Sequence, residues 1–185
     1  MLKLIILIVL IISITANEYG FPSKLNGMDI QGWGIRKKGP IKAYALSMYA
    51  PSSSLTTPIS NLYRSLRLST GGEGARTFLM KVTFKVSSEK MANALCDSLG
   101  TRYKGELGEV KDTILRGGKG GKGTVFQFDC SPDSLTVTVN GSSLGTINGP
   151  TLGSSFADIY LDKNGVSPTL KKSLEERCQE LNEGN

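Results

Sequence analysis

The sequence contains no histidine, the side chain that most often serves as a general base and as a metal ligand. It has only three cysteines, Cys96, Cys130 and Cys178, which lie too far apart for the paired spacing of a zinc site. We therefore predict that the chain has no metal site and needs no cofactor.

The few cysteines leave two redox states open. In an oxidising compartment, one pair could form a disulfide and leave the third thiol over. The other state is free thiols buried against apolar surface, since Cys96 and Cys178 both fall on the apolar face of a predicted helix. We slightly favour buried thiols and leave the pairing open.

The sequence also lacks an apolar run long enough to cross a membrane. Its longest run, residues 4–12, falls well short of the roughly 20 residues that a spanning helix needs. Lys3 precedes the run and Ala16 follows it at a cleavage-like position, which is typical of a secretory signal peptide at residues 1–16. We expect cleavage there, with an uncleaved anchor as the alternative. The mature form is then a secreted single domain, residues 17–185, with no integral membrane segment.

The net charge of +6 is not accompanied by a nucleic-acid-binding motif. The glycine-rich run at residues 117–123 precedes a predicted strand, whereas a phosphate-binding glycine motif needs a helix behind it. It also lacks the interleaved aromatic residues on which bases stack. We predict a flexible basic hairpin loop at this run, and no nucleic-acid partner.

Hydrophobic periodicity predicts both strands and helices. Residues 77–86 alternate as a strand with one core-facing and one mostly wet face, typical of an antiparallel sheet. The side chains predicted to face the core are Phe78, Met80, Val82, Phe84 and Val86. Asn140-Gly141 predicts a tight hairpin between strands at residues 135–139 and 143–147, and Asn140 also begins a glycosylation sequon. Ser167 is placed to cap the last helix. Helical spacing predicts four helices, at residues 59–66, 87–100, 152–160 and 168–181.

The most informative stretch is residues 32–49, which places Arg36 before a Gly39-Pro40 reversal and Tyr44 in the strand behind it. Whether Arg36 and Tyr44 share a face depends on a one-residue choice of register, which the pattern leaves open. The alternative is an exposed basic hairpin, because charge runs such as Arg36-Lys37-Lys38 are usually solvated. We expect a helix or another backbone to approach the face of small side chains around Ala45 closely.

Several short motifs, taken in order, resemble those of chalcone isomerase-like proteins. They are residues 34–38, 42–45, 137–141, 145–147, 158–161 and 166–174. The resemblance covers roughly residues 27–181, almost the whole mature chain. It implies an α+β fold, an open-faced β-sandwich in which a layer of helices packs on a long antiparallel sheet. It also implies an internal ligand cleft between the sheet and the helices.

This family contains true isomerases, non-catalytic relatives and fatty-acid-binding members. Arg36 falls on the family's arginine, and Tyr44 resembles the arginine–tyrosine pairing of the fatty-acid-binding branch. Lys90 falls where isomerases carry a catalytic tyrosine, and Ile159 falls where they carry a serine or threonine. The resemblance thus implies a secreted binding protein without plant-type catalysis, in which Arg36 and Tyr44 bind an apolar carboxylate such as a fatty acid.

Two other functions stay open at this point. One is an isomerase, an intramolecular lyase of the chalcone-to-flavanone type that acts on a phenolic ligand with Arg36 as its catalytic electrophile. That chemistry needs neither metal nor histidine, because a cation and donors suffice to stabilise the moving charge. The other is a structural or partner-regulating protein with a degenerate cleft.

Overall fold

A single antiparallel sheet organises the chain. The computed structural model describes residues 18–55, 58–68, 74–118 and 120–183, so the predicted signal peptide lies outside the described residues. Within these ranges seven strands pair in sequence order, each antiparallel to the next. The strands are β1 Lys24–Leu25, β2 Met28–Lys38, β3 Ile41–Ala50, β4 Arg76–Val82, β5 Val125–Ser131, β6 Ser134–Val139 and β7 Ser142–Asn148. The predicted Asn140-Gly141 turn is confirmed, with positive φ angles of 50° and 82°.

Five α-helices lie in the described part of the chain. They are α1 Leu62–Leu66, α2 Ser88–Gly100, α3 Gly108–Arg116, α4 Leu152–Leu161 and α5 Pro168–Glu183. The predicted start of α2 is confirmed, because the Ser87 hydroxyl accepts a hydrogen bond from the Lys90 amide at 3.2 Å. None of the helices in the described ranges is long and apolar enough to cross a membrane. The predicted α+β class is confirmed.

The main core lies between the helices and one face of the sheet. Met48 of β3 and Phe78 of β4 point into it, and the Tyr160 ring of α4 lies 5.1 Å from the Phe78 ring, centroid to centroid. The opposite face carries a smaller apolar cluster, in which Phe21 and Tyr49 are buried. The sheet therefore buries side chains on both of its faces.

β4 differs from the predicted strand at residues 77–86 in two ways. It ends at Val82, because its partner β5 begins only at Val125, opposite Lys81. Phe84, predicted to be inward-facing, is consequently 53% exposed in the loop that follows. The predicted wet face is also wrong, since Leu79 is buried in the cluster on the second face of the sheet.

A helix does approach the sheet closely, but not on the small-residue face around Ala45 as expected. It is α5 that lies against β2, where a Cβ added to Gly34 would stand 2.3 Å from the Leu170 amide nitrogen. The Thr169 hydroxyl on α5 accepts a hydrogen bond from the Ile35 amide at 2.8 Å. The helix thereby satisfies a backbone donor of β2 in the part of that strand that lies beyond its short pairing with β1.

Three local predictions are wrong. The helix α3 was missed because few of its residues are apolar, although Val110 and Ile114 are buried on its inner side. The glycine-rich run at residues 117–123 joins α3 to β5, so it is not the loop of a hairpin. Ser167 precedes α5, but its buried hydroxyl has no hydrogen-bond partner among the described residues and does not cap the helix.

None of the three cysteines, all of which the structure describes, forms a disulfide. Cys130 and Cys178 are buried and Cys96 is half-buried. Burial raises the pKa of the Cys130 thiol well above its ordinary value, which disfavours the reactive thiolate. The structure agrees with the interpretation that these residues pack as buried thiols.

Candidate ligand-binding site

Arg36 and Tyr44 stand directly opposite each other on neighbouring strands. The chain reverses at Gly39, whose φ of 59° lies in the left-handed region that glycine tolerates, and β2 then pairs with β3. Directly paired residues of an antiparallel ladder point to the same face of the sheet. The register therefore brings both side chains to one side of the sheet, where Tyr44 packs against the main core.

A cleft of about 500 Å³ opens between this end of the sheet and the helices. Strands β2, β3 and β4 line one side of it. Helix α2, together with Ile159 of α4 and Val166 of the loop before α5, lines the other side. Its apolar wall is built by Met80, Met91, Leu95, Ile159 and Val166. Apolar walls with a few polar groups are typical of small-molecule sites.

Arg36 is half-buried in this cleft, and the backbone holds it in place. Its Nη1 donates a hydrogen bond to the Val166 carbonyl at 2.7 Å, which ties the guanidinium to the loop before α5. No carboxylate is among the described residues that line the cleft. A guanidinium carries five N–H donors, so a single bond to a carbonyl leaves others for an anionic ligand.

Tyr44 supplies a neutral donor beside this cation. Burial raises the pKa of the Tyr44 phenol, and the nearby Tyr160 hydroxyl and Arg36 charge only partly oppose that rise. The phenol is thus protonated at neutral pH and can donate a hydrogen bond. A charged fork next to a neutral donor suits the head group of a carboxylate.

Tyr160 lies behind this pair, on the buried face of α4. Burial raises the pKa of the Tyr160 phenol well above its ordinary value, and the neighbouring Tyr44 raises it further. The two phenols interact electrostatically, yet the Tyr160 hydroxyl has no partner of good hydrogen-bond geometry within the described ranges. The helical spacing that predicts a helix at residues 152–160 does not single out this hydroxyl. A tyrosine in an otherwise apolar stripe is the signal that could have found it.

The family resemblance pointed to two further positions, and both line the same cleft. Lys90 is exposed in the first turn of α2, and Ile159 is buried on α4. Two more lysines of the lining, Lys38 and Lys85, were not anticipated. Lys38 ends β2 and Lys85 lies in the loop after β4, so only the pairing of the strands brings them together.

A second cavity, of about 710 Å³, lies between α1 and α4. Two of its cations already have partners: Arg67 forms an ion pair with Asp158, and the Lys171 ammonium lies 4.5 Å from the centre of the Tyr63 ring. Because these two charges are engaged and the carboxylates of Asp158 and Asp162 also line the groove, it offers an anion less than the first cleft does.

Asn140, the predicted glycosylation site, lies exposed in the turn between β6 and β7. Its side-chain oxygen accepts a hydrogen bond from the Val125 amide at 2.9 Å, which orients the side chain within the turn. Glycosylation at this position stays a prediction.

Comparisons with known proteins agree with the sequence motifs. A family model described as chalcone isomerase-like matches residues 21–174. The crystal structure of a fatty-acid binding protein of Arabidopsis thaliana superposes with a TM-score of 0.72. The match covers 90% of this chain and 97% of that chain, at 18% sequence identity, so the likeness is one of fold. A search of the curated proteins found no match.

Proposed function

The chain belongs to the chalcone isomerase-like family, and we propose that it binds an apolar carboxylate, of the fatty-acid type, in the cleft beside Arg36. One observation carries this proposal: the cross-strand pair of Arg36 and Tyr44 lies in a cleft with apolar walls, and the described residues that line it include no carboxylate. The structural relative described as a fatty-acid binding protein supports the same ligand class.

The polar head and the apolar tail of such a ligand match the polar and apolar parts of the cleft. The carboxylate would accept charge-assisted hydrogen bonds from Arg36 and a neutral one from Tyr44. The acyl chain would lie against the apolar side chains of α2 and β4, where it is removed from water at about 0.8 kcal/mol per buried methylene. The cleft volume of about 500 Å³ falls in the range of ordinary ligand sites, roughly 300–1,000 Å³.

The proposal does not include ring closure of a chalcone. Ile159 presents only carbon atoms to the cleft, and it falls where isomerases are expected to carry a hydroxyl. We expect the purified protein to convert a chalcone no faster than the uncatalysed reaction, followed by absorbance. Turnover well above that rate, abolished by Arg36→Ala, would instead favour the isomerase.

Native mass spectrometry of the purified protein, followed by calorimetric titration with oleate, tests the binding proposal. We expect a co-purifying acyl ligand or, after delipidation, saturable binding of one oleate per chain. A protein that carries no ligand and binds no oleate would refute the proposal.

We further propose that the protein is secreted, on the strength of the signal-like pattern at residues 1–16. This part is independent of the cleft. N-terminal sequencing of protein recovered from the medium should start near Asn17, and a start at Met1 would contradict it.

A further inference from the structure

Two large apolar side chains lie exposed beside the mouth of the cleft. Ile41, at the start of β3, is 42% exposed, and Phe84, in the loop after β4, is 53% exposed; both also line the cleft. In the described part of the chain, the one other exposed large hydrophobic residue is Ile59, on a short 3-10 turn. Exposed apolar side chains grouped at the entrance of a site mark an interaction surface more often than isolated ones do.

Three loops at this end of the sheet are held together by hydrogen bonds. Thr83 donates from its amide to the Ala43 carbonyl at 3.1 Å and from its hydroxyl to the Lys42 carbonyl at 2.7 Å. On the other side, the Val86 amide donates to the Gly120 carbonyl at 3.3 Å. The β2–β3 hairpin, the loop after β4 and the glycine-rich loop before β5 therefore form one continuous surface.

This surface is basic and contains no acidic side chain. Residues 36–44, 83–88 and 120–128 include no aspartate or glutamate; two acids directly follow the last two ranges, Glu89, exposed in the first turn of α2, and Asp129, half-buried in β5. None of the lysines in these ranges is in an ion pair with another described residue. We define the mouth surface as Ile41 and Phe84 with the exposed lysines Lys37, Lys38, Lys42, Lys85, Lys90 and Lys122.

We propose that the mouth surface docks on an anionic lipid bilayer. Phe84 and Ile41 insert at the boundary between head groups and acyl chains, while the lysines lie over the anionic head groups. Lysines combined with exposed apolar side chains favour a membrane as the partner. A nucleic acid would contact the lysines but would leave the exposed isoleucine in water, whereas a membrane interface contacts both. In this orientation the cleft faces the bilayer.

Such docking would let an acyl ligand pass between bilayer and cleft without full exposure to water. This consequence rests on the proposed function, but the docking itself does not. The glycine-rich basic loop is part of this docking surface, because it contributes Lys122. Its glycines would let the loop adapt to a lipid surface.

Vesicle co-sedimentation of the full mature chain tests the proposal. The vesicles contain either phosphatidylcholine alone or phosphatidylcholine with about one third phosphatidylserine. We expect binding to the anionic vesicles that weakens with added salt, and little binding to the neutral ones. Absence of binding to anionic vesicles at low ionic strength would overturn the proposal.

Matched variants separate a local surface from a general charge effect. Replacing Lys37, Lys85 and Lys122 with glutamine should weaken binding by about 100-fold, at about fivefold for each lysine near the lipid. The control replaces three exposed lysines outside the mouth surface, Lys104, Lys163 and Lys172, and lowers the net charge equally. An equal loss in both triple variants would show that total charge drives binding, and would overturn the proposal.

The apolar contribution has its own pair of variants. Phe84→Ser should weaken vesicle binding by about tenfold, because it removes an inserted ring. Ile59→Ser changes a similarly exposed residue outside the cleft mouth and should leave binding unchanged. If Phe84→Ser has no effect and heparin binds as tightly as the vesicles do, the surface is a general polyanion site and not a bilayer dock.

The cleft variant Arg36→Ala keeps this test apart from the proposed function. It should reduce oleate binding in vesicle-free solution and leave vesicle binding within about twofold, because one half-buried cation contributes little to a surface field. Unchanged oleate binding in Arg36→Ala, with intact vesicle binding, would refute only the ligand proposal. Reduced oleate binding together with loss of vesicle binding would refute only the docking surface.

Discussion

Replacing Arg36 by alanine gives the sharpest test of the ligand site. The Arg36 guanidinium is half-buried among the apolar side chains of the cleft. It already donates one hydrogen bond, to the Val166 carbonyl at 2.7 Å. Breaking a fully desolvated charge pair costs about 2–5 kcal/mol. Because Arg36 is partly exposed, we expect the lower end, about 2 kcal/mol, or roughly 30-fold weaker oleate binding.

A second ligand isolates the charge from the packing. Oleyl alcohol has the same hydrocarbon tail with a hydroxyl in place of the negatively charged carboxylate, so the wild-type protein should prefer oleate by about the same 30-fold. In Arg36→Ala this preference should nearly vanish. Arg36→Lys keeps the charge but loses the planar fork, and should fall between the two. Tyr44→Phe removes one neutral donor and should cost only about 0.5–1.5 kcal/mol.

Calorimetric titration at neutral pH measures these affinities, and urea unfolding measures the stability of each variant. Loss of the bond to Val166 should itself lower the free energy of unfolding by about 1.5–3 kcal/mol, so affinity must be compared on folded protein. Arg64→Ala, an exposed arginine of the second groove, is the matched control and should bind like the wild type. Equal oleate affinity in wild type and Arg36→Ala would refute the site. An equal loss for oleate and oleyl alcohol would show that the residue acts by packing alone.

Three further predictions concern the fold that supports the site. Gly34→Ala should destabilise the protein by about 1–3 kcal/mol in urea unfolding, because the new Cβ would stand 2.3 Å from the Leu170 amide nitrogen. Tyr160→Phe should raise the free energy of unfolding by about 1 kcal/mol, because it removes a buried hydroxyl that has no well-formed hydrogen bond among the described residues. Stability should change little between pH 6 and 8, since the chain has no histidine, and should fall above about pH 10. There the unfolded tyrosines ionise, while burial raises the pKa of Tyr44 and Tyr160 and keeps them protonated in the folded state.

Each of these results has a defined contrary outcome. Gly121→Ala is the control for the glycine variant, since a Cβ there meets nothing within 4 Å, and equal effects of the two would contradict the close approach of α5. A loss of more than about 1 kcal/mol in Tyr160→Phe would show that its hydroxyl donates a real hydrogen bond to Tyr44. A urea midpoint that is unchanged from pH 8 to 11 would mean that burial does not shift these phenols.

Much of the local structure follows from the sequence alone. Side chains alternate along strands and recur along helices, so the apolar pattern located most strands and the helices α1, α2, α4 and α5. Asn140-Gly141 specified its turn because both residues tolerate positive φ. The ordered motifs also identified the family, and with it the fold class.

Other features depend on contacts between distant segments, which no local pattern encodes. β4 ends at Val82 because β5 begins at Val125, a residue more than forty positions later. The helix α3 was missed because it is short and polar on average, with Val110 and Ile114 as the apolar members of its three buried side chains.

The candidate site divides in the same way. The sequence motifs named four residues of the cleft, Arg36, Tyr44, Lys90 and Ile159. Whether Arg36 and Tyr44 meet depended on the strand register, because a slip of one residue moves every side chain to the other face of the sheet. Pairing across the β2–β3 hairpin decided that question. The packing of α4 on the sheet decided the position of the Tyr160 hydroxyl. The sequence determined which residue types were available, and the tertiary structure determined which of them face one another, because register and packing are set by the whole core.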